Sequence, residues 1–230
     1  MQEREGEPVW TYEDLGILLG AVLPCLVLAA LAAKLMSFVI PQKGVVTALS
    51  QVLIYGGVSG SLYMILERRY GLNFWEAMQW RVPWRRMALT ALLGPALALA
   101  MAFLALALRT PQEAMALDAL MQDRMSIIAI GLAATTIGPL FEELIFRGFA
   151  QPLFVRSLGL AGGLLATALP FSLLHGPQYN WNWQRLLILT LASVAFGIVR
   201  HKTGSTAASS LTHAAYNLTF MAGLIFKETN

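Results

Sequence analysis

SIIAIGLAATTIGPLFEELIFRGFAQPLFVR, residues 126–156, is long and apolar enough to cross a bilayer, yet it carries Glu142, Glu143 and Arg147 near its middle. A helix needs about 20 residues to span a hydrocarbon core of about 30 Å, so the stretch reads as a membrane helix. A charge at the bilayer centre costs roughly 2.5 to 3.5 kcal/mol on insertion scales, and ionisable groups placed there face a protein interior and mark function. Later apolar segments hold further isolated polar groups: His175 in FSLLHG, and His213 with Asn217 in HAAYN.

Composition extends this reading to the whole chain. Of its 230 residues, 57% are hydrophobic and 13% charged, against roughly 45 to 50% apolar and about 25% charged in a soluble domain. Mean hydropathy is +0.62. Apolar runs at 15–39, 44–66, 87–109, 126–156, 158–178, 184–200 and 205–226 predict an all-α, polytopic transmembrane helical bundle of about seven spans plus interfacial helices. It forms one integrated membrane domain, with N-terminal scaffold helices over 1–125 and chemistry-bearing helices over 126–226. Before residue 126 the spans hold almost nothing polar beyond Lys34, whose stem can snorkel to the interface. After it, every span but the sixth carries a polar side chain.

The start, MQEREGEPVWTYEDLG, is acidic and lacks the basic beginning and cleavage site of a signal peptide, so the first helix is expected to be retained. The lone Cys25 excludes an internal disulfide and a cysteine-rich metal site. A net charge of +3 does not point to nucleic acid, because the basic residues stand at helix ends. Arg68, Arg69, Arg81, Arg85 and Arg86 crowd the second connection, and Arg200 and Lys202 the sixth; the positive-inside rule puts both, and the N-terminus, in the cytoplasm of a cell-membrane protein. Between them, GLNFWEAMQWRVPWRR mixes tryptophan and arginine as an interfacial helix does. PQEAMALDALMQDRM, residues 111–125, predicts a helix opened by Pro111 on the opposite surface.

Counting in from helix ends at 1.5 Å per residue sets Glu142 and His175 about 20 Å below the surface that carries residues 156–162, with Asn217 about 18 Å and His213 about 12 Å below it. A site at that level is expected to open to the cytoplasm. Residues four apart share a helix face, so Glu143 can pair with Arg147 while Glu142, about 100° away, faces a cavity. His213 and Asn217 project together, as do Phe171 and His175. Two acids and one base leave a carboxylate that needs a proton, a metal or a water. A buried carboxylate and an imidazole can take a proton from water, and His213 with Asn217 can donate to an oxyanion or serve as interhelical glue. A zinc site of Glu142, His175 and His213 is the rival chemistry, although HExxH is absent. His201, in the basic RHK connection, reads as solvated.

These residues in this order resemble the CPBP family of intramembrane proteases, which includes CAAX prenyl endopeptidases and bacterial Abi or bacteriocin-immunity proteins. Its pattern of EExxxR, FxxxH and HxxxN is met by Glu142, Glu143 and Arg147, by Phe171 and His175, and by His213 and Asn217, across residues 126 to 220. The resemblance implies hydrolysis of a peptide bond within the membrane, in a peptide or lipidated protein substrate. Glu142 and His175 would activate water, His213 and Asn217 would hold the oxyanion, and Glu143 with Arg147 would support them. It implies membrane lipid as surroundings and leaves both a metal-free glutamate mechanism and a zinc mechanism open. A non-catalytic binding or immunity protein is the alternative. A transporter would show paired repeats with broken helices, which the sequence lacks.

Overall fold

The computed structural model describes residues 8–82, 84–111 and 115–228. Most of the acidic start, residues 1–7, and residues 112–114 of the third connection lie outside them. Its helices are α1 (Tyr12–Met36), α2 (Lys43–Arg69), α3 (Phe74–Ala77), α4 (Met87–Ala107), α5 (residues 124–158), α6 (residues 160–174), α7 (Trp183–Thr203) and α8 (Thr206–Glu228). No strand occurs among the described residues, so the expected all-α bundle is what forms.

Several helices begin where a side chain satisfies a free backbone donor. Asp14 accepts from the Thr11 backbone N–H at 2.8 Å and Thr11 stands as the N-cap of α1. Asp123 takes the Ser126 N–H at 2.9 Å ahead of α5, and Asn182 takes that of Arg185 at 3.0 Å ahead of α7. The buried Asp14 also accepts from the Tyr70 hydroxyl at 2.6 Å and lies 3.4 Å from Arg69, which locks the start of α1 to the end of α2.

Among the described residues five helices are long and apolar enough to cross a membrane. One of them, Arg124–Leu174, is two legs, because Gly159 at φ 71° breaks it. With α8 the long helices number seven, as the sequence suggests. α8 is less apolar because Ser209, Thr212 and His213 are buried inside the bundle. Outward, Leu23, Leu28, Leu35, Leu92, Phe103 and Leu106 are each more than half exposed, a pattern that costs free energy in water and none in hydrocarbon.

The hairpin between α5 and α6 depends on two glycines. Gly159 takes a left-handed conformation that side chains disfavour. One turn later a Cβ on Gly163 would lie 2.5 Å from Val155 Cγ2 and 2.6 Å from its backbone N and Cα. Backbone cannot yield as a flexible side chain can, so Gly163→Ala should destabilise by about 1 to 3 kcal/mol. The control Gly20→Ala meets nothing within 4 Å and should be neutral or slightly stabilising. Thermal unfolding in detergent compares them, and equal melting of the two variants would contradict this account of the hairpin.

The second connection departs from the interfacial helix expected of it. It forms only the single turn α3 and a short 3-10 turn at Trp84–Arg86, with Phe74 and Met78 buried. The reason is that its carbonyls cap α8. Thr206 N–H donates to Gln79 O at 3.1 Å, the Thr206 hydroxyl to Met78 O at 2.6 Å, and Ser205 to Arg81 O. Arg200 adds a bond to Gln79 Oε1 at 2.9 Å. A continuous helix would have used those carbonyls itself. Residues 115–123 likewise form turns rather than the helix expected after Pro111.

These contacts put both arginine-rich connections at one end of the bundle, as the charge pattern predicts. The N-terminal segment joins them there: Trp10 stacks on Phe149 with centroids 5.4 Å apart and Arg156 donates to Pro8 O at 2.6 Å. His201 is exposed in the last turn of α7, in keeping with a solvated role.

Candidate active site

α5 does not run as a plain α-helix. Wide i→i+5 turns at Ala133–Ile137 and Leu144–Ala150 flank the six residues Gly138–Glu143 that carry both glutamates. Such turns displace backbone carbonyls from the regular ladder and recur at functional sites. Side chains take up two of those carbonyls: Asn217 Nδ2 donates to Ala134 O at 2.8 Å, and Trp10 Nε1 to Phe149 O at 2.9 Å.

Glu143 and Arg147, both fully buried, form the predicted i,i+4 pair at 2.9 Å. Glu143 Oε1 also lies 3.0 Å from His213 Nδ1, and its Oε2 accepts from Ser209 at 2.5 Å. Arg147 donates to the carbonyl and the hydroxyl of Ser193 at 2.8 and 2.6 Å. Its Nε has no hydrogen-bond partner among the described residues, yet the guanidinium lies 4.8 Å from the Phe171 ring and 5.6 Å from Phe196. Ring faces offset part of the cost of burying that cation. The same two rings hold His213, Phe196 stacked at 4.4 Å and Phe171 edge-on at 5.8 Å.

Glu142 sits differently. Its side chain keeps 13% exposure, the Tyr55 hydroxyl donates to Oε1, and Oε2 faces His213 Nε2 across 3.8 Å. Since Nδ1 of His213 meets a carboxylate, which only accepts, that nitrogen carries a proton.

His175 ends α6 as its C-cap, with its ring 4.8 Å from Phe171 and its Nδ1 2.8 Å from the Phe171 carbonyl. A carbonyl accepts, so Nδ1 is the protonated nitrogen and Nε2 holds the lone pair. The structure thus gathers Glu142, Glu143, Arg147, Phe171 and His213 directly, links His175 to them through the Phe171 ring, and ties Asn217 to the turn before Glu142. Counted from Gly159, His175 lies about 24 Å along α6. The connection beside it is therefore 176–182, at the end away from the arginine-rich loops, whereas the depth count expects an opening from their end. Outside the spanning helices, burial pushes the Tyr179 hydroxyl up to about 12, with Arg185 opposing and the charge of Glu142 adding to the rise.

Several site residues are not evident in the sequence. Tyr55 comes from α2, among the spans read as scaffold. Ser193 comes from the sixth span, which reads as chemically empty; that reading is corrected, since the serine anchors Arg147 and the neighbouring Thr190 hydroxyl meets Ser172 at 2.8 Å. Ser209 had a visible signal, because Ser209, His213 and Asn217 repeat at four-residue spacing on one face.

Among the described residues no group of three or more His, Cys, Asp or Glu stands in a metal-ligand arrangement. Glu142 and His213 approach one another, and the Nδ1 atoms of His175 and His213 each meet an oxygen acceptor, which leaves their Nε2 atoms for chemistry.

Residues 124–219 match the family model described as type II CAAX prenyl endopeptidase Rce1-like. Neither a curated protein nor a solved structure matches the chain. The matched stretch opens at the first residue of α5 and takes in all three polar clusters, from Glu142 to Asn217. With its apolar helices, it marks a multi-pass membrane protein of a protease class acting on CAAX-type substrates in general. The match through α5 to α8 supports the CPBP family of intramembrane proteases.

Proposed function

We propose that this chain is an intramembrane endopeptidase that cleaves membrane-associated or lipidated, CAAX-type proteins with water activated by Glu142 and His175. The observation that carries this reading is the unlike surroundings of two adjacent carboxylates. Glu143 is fully buried, with one oxygen held by Arg147 and His213 and the other by Ser209. Glu142 is partly exposed, with one oxygen held by a neutral hydroxyl and the other 3.8 Å from His213 Nε2. Only the second arrangement leaves a carboxylate ready to take a proton.

In the proposed reaction Glu142 accepts one proton from water as the water oxygen bonds to the scissile carbonyl carbon. The lone pair on His175 Nε2 orients the water through its other hydrogen. Electrons from the carbonyl double bond move to its oxygen, which accepts from protonated Nε2 of His213 and from the second N–H of the Asn217 amide. Collapse of this intermediate breaks the C–N bond, and Glu142 passes its proton to the leaving nitrogen. The helices over 126–226 carry this chemistry while those before residue 126 support it. The arginine-rich end, with the N-terminus, lies in the cytoplasm by its excess of positive charge.

The test uses purified protein in lipid nanodiscs, with a prenylated peptide ending in a CAAX sequence, in water enriched in oxygen-18. Release of a C-terminal tripeptide, with one heavy oxygen in the new carboxyl of the lipidated fragment, is the expected result. An intact peptide, beside a folded protein that binds it, favours a non-catalytic binding role.

A further inference from the structure

We propose that Tyr55 is the positioning residue of Glu142, an inference that rests on Glu142 being the base. The two oxygens of this carboxylate face opposite halves of the chain. Tyr55 of α2 donates to Oε1, and Oε2 is left facing His213 Nε2 of α8 at 3.8 Å. Without the first contact the carboxylate can rotate about its last torsion, which is broad for glutamate, and Oε2 loses its fixed direction towards the imidazole.

Two features make Tyr55 suited to this task. Its ring stacks on Phe141 with centroids 5.8 Å apart and planes 16° from parallel. Phe141 is the residue before Glu142, so the ring is registered on the backbone that carries the base, and the hydroxyl is delivered at a set reach. The donor is also neutral. Glu143 shows the contrast, because the Arg147 cation beside it stabilises the charge and spends its basicity. A phenol fixes direction with a weaker hold on the charge, which is what a base must retain.

Tyr55→Phe removes the hydroxyl and keeps the ring stack. In nanodiscs with the same lipidated peptide, its kcat should fall about 10- to 100-fold, the scale of one hydrogen bond to a charged group. KM should stay within about twofold and the melting temperature should be unchanged. A merely structural tyrosine predicts the reverse, a lower melting temperature at native kcat, and that result overturns the proposal. Glu142→Gln is run alongside: loss of hydrolysis there with native kcat in Tyr55→Phe overturns only the tyrosine's role, whereas full activity of Glu142→Gln overturns the base as well. A second readout needs no substrate. The infrared difference between the native protein and Glu142→Gln isolates the Glu142 carboxyl bands. Tyr55→Phe should shift them, and unshifted bands overturn the hydrogen bond itself.

Discussion

Glu142→Gln is expected to lower kcat by about 10²- to 10⁴-fold, the range contributed by a positioned proton acceptor, with little change in folded yield. The amide keeps the size of the side chain and can still accept from Tyr55, so packing between α2 and α5 survives. It cannot take a proton from water. The matched substitution Glu143→Gln should behave in the opposite sense, because that carboxylate is wrapped by Arg147, His213 and Ser209. Its loss should appear first as a lower melting temperature. Rates and melting curves for the two variants check the division of labour. Equal behaviour of the pair would contradict a base assigned to one of them.

Arg147→Ala carries the largest expected effect on stability. It strips a fully buried carboxylate of the guanidinium 2.9 Å away and opens a space lined by Phe146, Phe171 and Phe196. Breaking a buried pair from one side costs about 3 to 5 kcal/mol, enough to remove most of the folded population of a marginally stable protein. The double variant has a signed expectation. Adding Glu143→Gln removes the stranded charge, so Arg147→Ala with Glu143→Gln should melt above Arg147→Ala alone. If the two losses simply add, the ion pair is not what stabilises the site.

The sequence predicted the architecture well because lipid imposes it. A chain with long apolar runs must satisfy its backbone within each segment, and the runs can be counted. The charged trio in α5 was equally visible, since apolar surroundings make any charge conspicuous. Neutral hydroxyls gave weaker signals. Tyr55 and Ser193 sit in apolar helices without raising their charge, so no excess over background marked them, and only the fold brings Tyr55 across 87 residues to Glu142. The wide turns of α5 were also hidden. They arise where tertiary contacts such as Asn217 to Ala134 and Trp10 to Phe149 compensate carbonyls that a local rule assigns to the helix. The second connection failed as an interfacial helix for a related reason: its Trp and Arg content fits a membrane surface, but the capping demand of α8 claimed its backbone.

The measurement that tests the central claim most directly compares protein termini, by mass spectrometry, in membranes from cells expressing the native chain or Glu142→Gln at matched levels. The account predicts new carboxyl termini in membrane-associated or lipidated proteins that depend on Glu142. Identical termini in both membranes, with the variant folded and the native chain well expressed, would contradict proteolysis by this site.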